Sequence, residues 1–417
     1  MCGRRFRAGD EKRETTNADF DVVVEHGALL LTSFLKSFDM QGPWLLDPAW
    51  TFLNHGSFGA RLAQVHAHQN SWRKQLEAQP LRFFLDRYLP SLELAREAVA
   101  QLVGADSDDI ALVPNATYGV NSMLRSLPLR PGDEVLVLDH AYDACRAALD
   151  HVVTARGAQV VEVHLPLPCA GPEQVIELVL AACGPRTRFA LIDAVTSPTA
   201  IVLPVHQLVA ALRERGIESL VDAAHSPGMV TMDLTACGAA FTTGNLHKWI
   251  SAPLGAAFVH LRRDLQDQLL PAALSHGLHL SGPKRWQECF DWTGTFDPSA
   301  WLSVPFAIQS LSELQEDGLQ GVMRANRDLA CAGAALLERQ LGLKPICPRS
   351  MLGSMAALVL PLPAHPLAHH LATDPLQRVL GDQHKIEVPV FSFGRRRLMR
   401  ISCHNYNNIS EIERLSA

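Results

Sequence analysis

Between Asp108 and Val259 the chain repeats one pattern: a short, nearly continuous apolar run, a break of polar or small residues, then a helical stretch. The runs are Asp109–Val113 (DIALV), Glu134–Asp139 (EVLVLD), Gln159–His164 (QVVEVH), Arg188–Asp193 (RFALID) and Glu218–Asp222 (ESLVD), with Thr117–Ser126 and Tyr142–Arg156 helical by their apolar spacing. Strands apolar on both sides have to be covered on both faces, and helices between them supply the crossovers of parallel pairing. The pattern predicts an α/β fold with a mostly parallel, seven-stranded-type sheet covered by helices. After Ala257–Val259 the alternation stops. A long helix from about Pro305 and a tail with strands at Met355–Leu360 and Arg397–Ser402 read as a smaller C-terminal α+β domain. The expected organisation is a disordered extension over 1–20, an N-terminal segment over 21–60, a large domain over 61–300 and a small domain over 301–417.

Composition removes several function classes. A net charge of −6 and a pI near 6.3 argue against nucleic acid or an anionic membrane as partner. Arg395, Arg396 and Arg397 make too short a run to change that. No apolar run reaches the roughly 18 residues of a membrane helix, and the basic start (Arg4, Arg5, Arg7) is followed at once by Asp10, Glu11 and Glu14, unlike a transit peptide. Nine cysteines without close spacing suit a reducing compartment, and the expected location is the cytoplasm. His66, His68, His369 and His370 have no cysteine or carboxylate pattern around them, so no metal is expected.

Ligands of open α/β sheets sit beyond the carboxyl ends of the strands. That rule selects Asn115–Thr117, Asp139–Tyr142, Asp193–Ser197, Asp222–His225 and Thr243–Lys248, all polar or small. Lys248, in TTGNLHKW, reads either as a buried nucleophilic amine or as a surface lysine lying over Trp249. Asp222 ends a strand, where its carboxylate can pair with a pyridinium nitrogen or simply cap a helix. His225 is a donor to a phenolic oxygen or an ordinary core histidine. Asn115-Ala116-Thr117 opens a helix, a place for phosphate as well as for routine capping. Tyr142 either lies on an aromatic cofactor or packs on the sheet.

These residues, with LNHGSFGA (Leu53–Ala60), PNATYGVN (Pro114–Asn121), DHAYDAC (Asp139–Cys145), TSPTAIVLPV (Thr196–Val205), VDAAHSPGM (Val221–Met229), TGNLHKW (Thr243–Trp249), WTGTFDPSAWL (Trp292–Leu302) and MRISCHNYN (Met399–Asn407), resemble the class-V aminotransferase family of fold-type-I pyridoxal-phosphate (PLP) enzymes, and within it the isopenicillin N epimerase-like group. The resemblance implies an aspartate-aminotransferase-like large domain and PLP held as a Schiff base on Lys248. Asp222 would pair with the ring nitrogen and His225 with the phenolic oxygen. Ala116, Thr117, Asn245 and His247 would hold the phosphate, Tyr142 would stack on the ring, and Ser197 or Thr196 would position it. Thr295 would reach the phosphate of a second subunit, since family members are homodimers with shared sites. Arg400 would take the substrate carboxylate, and Asn54 and His55 would line the substrate side. Leu246 departs from many relatives, which carry a smaller or sulfur-bearing residue there.

The implied chemistry acts at the α-carbon of an amino acid. An epimerase of the isopenicillin N type is the favoured reading; it needs a second acid or a water path on the face opposite Lys248, and His55 and Tyr142 are the candidates for that acid. A β-C–S lyase is the alternative, of the cysteine-conjugate, hercynylcysteine sulfoxide or desulfhydrase type. A PLP fold without catalysis is disfavoured by the intact Lys248, Asp222 and Arg400. Persulfide relay would need a cysteine on a mobile loop, and the residues around Cys347 do not match one.

Overall fold

The computed structural model describes residues 43–282, 284–365 and 372–416. The extension expected over 1–20, along with His369 and His370, lies outside these residues. The first strand, β1 (Thr51–Phe52), is followed by helices over Ala63–Ala78 and Leu89–Val103. Then come β2 (Ile110–Val113), β3 (Glu134–Leu138), β4 (Gln159–Val163), β5 (Thr187–Asp193), β6 (Glu218–Asp222), β7 (Phe241–Asn245) and β8 (Ala257–Leu261). These seven form one sheet in the order β2-β8-β7-β6-β5-β3-β4. β8 alone runs against its neighbours β7 and β2. The expected mostly parallel sheet is therefore present.

Strand alternation sorts the core into two layers. Val135, Val137, Leu191 and Leu220 pack on one face, beneath the helices Ala116–Ser126 and Asp143–Ala155. Leu136, Leu138, Ala190 and Ile192 pack on the other, with the helices Pro172–Ala182 and Val205–Arg213. Each fully buried Leu or Val contributes about 2 kcal/mol relative to exposure, and these runs are buried almost without a break.

The long helix expected from Pro305 is two helices, Val304–Ser312 and Gly318–Leu341. Gly318 has φ +62, a left-handed turn that ends one helix direction and starts another. The tail brings β9 (Met355–Pro363), β10 (Ile386–Glu387), β11 (Val390–Phe393) and β12 (Arg396–Ser402). A separate antiparallel sheet has the order β11-β12-β9. β10 pairs with β1 in parallel, and Ser402 N donates to Leu53 O at 2.9 Å. These contacts bind Thr51–Asn54 to the C-terminal sheet, next to the strand that carries Arg400.

Candidate active site

Asp193 and Asp222 are the last residues of β5 and β6 and are paired in register. Asn245 ends β7, and Lys248 begins the turn that reverses the chain into β8. Together with the loops after β2 and β3 they enclose a cavity of about 210 Å³ at the carboxyl edge of the sheet.

One end of this cavity is the first turn of the helix Ala116–Ser126. Asn115 caps it, its Oδ1 accepting from Tyr118 N at 2.8 Å, and Asn245 Oδ1 accepts from Ala116 N at 2.8 Å. Thr117 thus heads a turn whose N–H groups lack intrahelical acceptors. His247 lines the same end. Burial, then the Lys248 charge, pushes its pKa down to about 4, and a bound anion would raise it again.

The other end holds the titrating groups. Asp222 accepts from Ala224 N at 2.9 Å through Oδ1 and from Cys145 Sγ at 3.2 Å through Oδ2. Burial raises its pKa, and burial plus the Asp222 charge holds Asp193 well above the usual carboxylate range. Lys248 Nζ lies 3.1 Å from His225 Nε2. Burial, then Arg400, lowers the amine to a pKa of about 7. Burial also drops His225 well below its ordinary value, so the ring is neutral.

A second cavity of about 570 Å³ adjoins the first and shares Ser57, Tyr142 and Ser197 with it. Arg400, 5% exposed, forms one wall. It donates through Nη1 to Ser197 O and, at 3.3 Å, to Ser197 Oγ, and through Nη2 to Ser57 Oγ at 3.3 Å. Phe391, Phe393 and His365 line it as well.

Arg400 Nε and His225 Nδ1 are buried and have no partner among the described residues. Buried donors left unpaired are costly, so their presence beside a near-neutral lysine marks a site shaped around non-protein groups. A helix N-terminus for phosphate, a buried carboxylate for a ring nitrogen and a buried amine lining the same cavity fit PLP.

Of the residues singled out in the sequence, Ala116, Thr117, Tyr142, Ser197, Asp222, His225, Asn245, His247 and Lys248 line the smaller cavity. Arg400 lines the larger cavity, and four line neither. The Thr196 hydroxyl is buried in a turn, 2.7 Å from Thr199 Oγ1 and accepting from Ile201 N at 2.9 Å; of the pair it shares, only Ser197 reaches the cavity. His55 is fully buried with both ring nitrogens engaged, so the substrate-side reading is corrected for it. Asn54 does not line either cavity; it accepts from Ser57 Oγ at 2.5 Å and donates to Glu387 at 3.0 Å. Thr295 lies in an exposed bend and lines neither cavity. Sequence reasoning missed Ser57 and Cys145. Both lie inside quoted motifs, but neither residue type signals its contact.

Leu246 is fully buried on the side away from the cavity. Cys347 is buried too, and burial pushes its thiol pKa up to about 12. Among the described residues there is no cluster of metal-ligating side chains, and no helix is long and apolar enough to cross a membrane.

The family model described as aminotransferase class-V matches residues 86–415. An isopenicillin N epimerase from Amycolatopsis lactamdurans is 34% identical over 387 residues, covering 89% of this chain and 94% of that protein. A probable L-cysteine desulfhydrase, chloroplastic, from Arabidopsis thaliana is 30% identical over 367 residues, covering 83% and 75%. Among solved structures, a cystine C–S lyase in complex with its reaction product, cysteine persulfide, superposes with a TM-score of 0.74 at 18% identity, covering 88% and 96%. That likeness shows the shared fold. The chain belongs to the class-V aminotransferase family, with pyridoxal phosphate as its expected cofactor.

Proposed function

We propose that the protein is a PLP-dependent enzyme acting at the α-carbon of an amino acid, and that it returns the α-proton from the opposite face, as an epimerase does. The observation that carries this reading is the near-neutral Lys248 amine beside a cavity walled by a buried arginine. When bound, PLP supplies an electron sink for the electrons of a bond broken at the α-carbon. Arg400 receives the substrate carboxylate through its planar fork. Lys248, once free, is the base for the α-proton. The buried Asp222 would pair with the ring nitrogen and stabilise positive charge there. Thr117, with His247, would hold the phosphate.

Tyr142 lines both cavities and is the proton donor for the second face. The larger cavity, about 570 Å³, suits a substrate well beyond free cysteine in size. The near full-length match to a protein named isopenicillin N epimerase points the same way.

The second reading is a β-C–S lyase, favoured by the desulfhydrase-named relative and by the need for only Lys248 and the sink. Incubation in D₂O with a panel of amino acids and cysteine conjugates separates the two. Inverted, α-deuterated product supports the epimerase; pyruvate with ammonia replaces it with the lyase.

A large domain over 61–300, a small one over 301–417, a homodimer in which Thr295 meets the second copy's phosphate site, and a cytoplasmic location complete the proposal. Sedimentation of the wild type and of Thr295→Ala, with cofactor retention, tests the shared site.

A further inference from the structure

The segment Leu53–Ala60 is packed between the Lys248 turn and the C-terminal strand that carries Arg400. Gly56 faces that strand and its neighbour β9: a Cβ there would sit 2.4 Å from Met355 Sδ and 2.9 Å from Ser402 Oγ. Gly59 faces the lysine turn. It has φ +78, and a Cβ would sit 2.1 Å from His247 O and 3.1 Å from Lys248 Cα. Backbone meets backbone at that point with no room for a side chain.

His55 is at the centre of the segment and is fully buried. Ala60 N points at its Nδ1 from 3.2 Å. A backbone N–H can only donate, so Nδ1 is the unprotonated nitrogen and Nε2 carries the proton. Nε2 is 3.0 Å from Lys248 O and donates to it. The Tyr406 hydroxyl, 2.9 Å from Nδ1, donates to the same lone pair. The ring stacks on His404 with centroids 4.2 Å apart and tilts over Trp249 at 4.8 Å. No capacity is left for a ligand. Lys248 O also accepts from Ser251 N at 2.9 Å, and Ser251 has φ +57. The lysine peptide is therefore held from two sides at the start of a strained turn.

We propose that His55 is a positioning residue: its Nε2–H locks the Lys248 peptide, and its segment, through Ser57, holds Arg400, so one short stretch sets the distance between the amine and the carboxylate site. The proposal rests on Lys248 being the cofactor's anchor. Displacements of about 1 Å at such groups are enough to impair catalysis.

The test compares the wild type with His55→Gln, which keeps a donor, and His55→Phe, which keeps a ring and loses it. Each is loaded with PLP. The readouts are the pH midpoint of the lysine-bound visible band, the rate of cofactor loss on dilution, and the melting temperature of the cofactor-free protein. The Phe variant is expected to lose cofactor roughly tenfold faster and to shift the midpoint, with Gln within about twofold of wild type. Equal melting losses in both variants, with midpoint and cofactor loss unchanged, would overturn the proposal. If Phe does not fold, His55→Met replaces it; if neither folds, the ring is structural and the proposal falls. A visible, borohydride-sensitive band that survives in Lys248→Ala would sink the anchor reading itself, and this proposal with it.

Discussion

Cys145 Sγ donates to Asp222 Oδ2 at 3.2 Å, from the first turn of the helix Asp143–Ala155, which begins just after Tyr142. The thiol is buried and its pKa is raised, by burial first and then by Asp222, so it stays protonated and serves only as a donor. The bond favours the ionised carboxylate that a protonated ring nitrogen needs. Cys145→Ala is expected to lower kcat about fivefold, the worth of about 1 kcal/mol for one hydrogen bond. Cys145→Ser is expected to recover most of it. Solvent-deuterium exchange at the substrate α-carbon is the measurement.

Lys248 has a folded pKa of about 7 against 10.5 for a free lysine. The unfolded chain therefore binds more protons between these values, and this group's contribution to stability rises with pH across that window. Cofactor-free wild type should gain melting temperature relative to Lys248→Met as the pH goes from about 7 to 10. A constant difference between the two would contradict the assigned burial. The Lys248→Met protein should also show no lysine-bound absorption after PLP is added.

Asp193 and Asp222 have the opposite sign. Their folded values are raised, so their contribution is full below the unfolded value, near 4, and is lost as pH rises through the folded values. Asp193→Asn removes one of the two charges. Denaturation of cofactor-free protein should show the variant closing on, or passing, wild type as the pH climbs from about 4 to 8.

Arg400→Lys keeps the charge and loses the fork. The expected result is a KM raised by about tenfold or more, with cofactor retention unchanged, since charge-assisted bidentate pairing is worth about 1.5–3 kcal/mol. Steady-state kinetics and the visible band read the two effects separately.

Tyr142→Phe keeps the ring that lines both cavities and removes the hydroxyl. Under the epimerase reading, inversion should fall by at least about tenfold, in line with loss of a general acid, while α-deuterium exchange with retention continues through Lys248. Equal losses in both would assign Tyr142 to packing alone.

The strands were legible because burial on both faces writes itself as unbroken runs, as in Glu134–Leu138. The strand ends were legible for the same reason: Asp193 and Asp222 are polar residues closing apolar runs. Sheet order was not, because β8 reverses direction only through the turn that follows Lys248, and nothing in its apolar run records a direction. The single helix expected from Pro305 missed the break at Gly318, where one glycine in a helix-forming stretch decides the geometry. His55 was misplaced for a different reason. The resemblance alone put it on the substrate side, and only the packing of Trp249, His404 and Tyr406 around it shows its ring closed in. Ser57 and Cys145 act through one hydrogen bond each, a contact that residue type does not announce.

Among the described residues, the two cavities share Ser57, Tyr142 and Ser197. The smaller is built from the edge of the seven-stranded sheet, whereas the larger takes Phe391, Phe393 and Arg400 from the C-terminal sheet. Substitutions at Phe391 or Phe393 can therefore change which molecules enter while leaving cofactor retention alone. Under the proposed function, substrate choice and cofactor retention are separable traits in this architecture, free to drift at different rates.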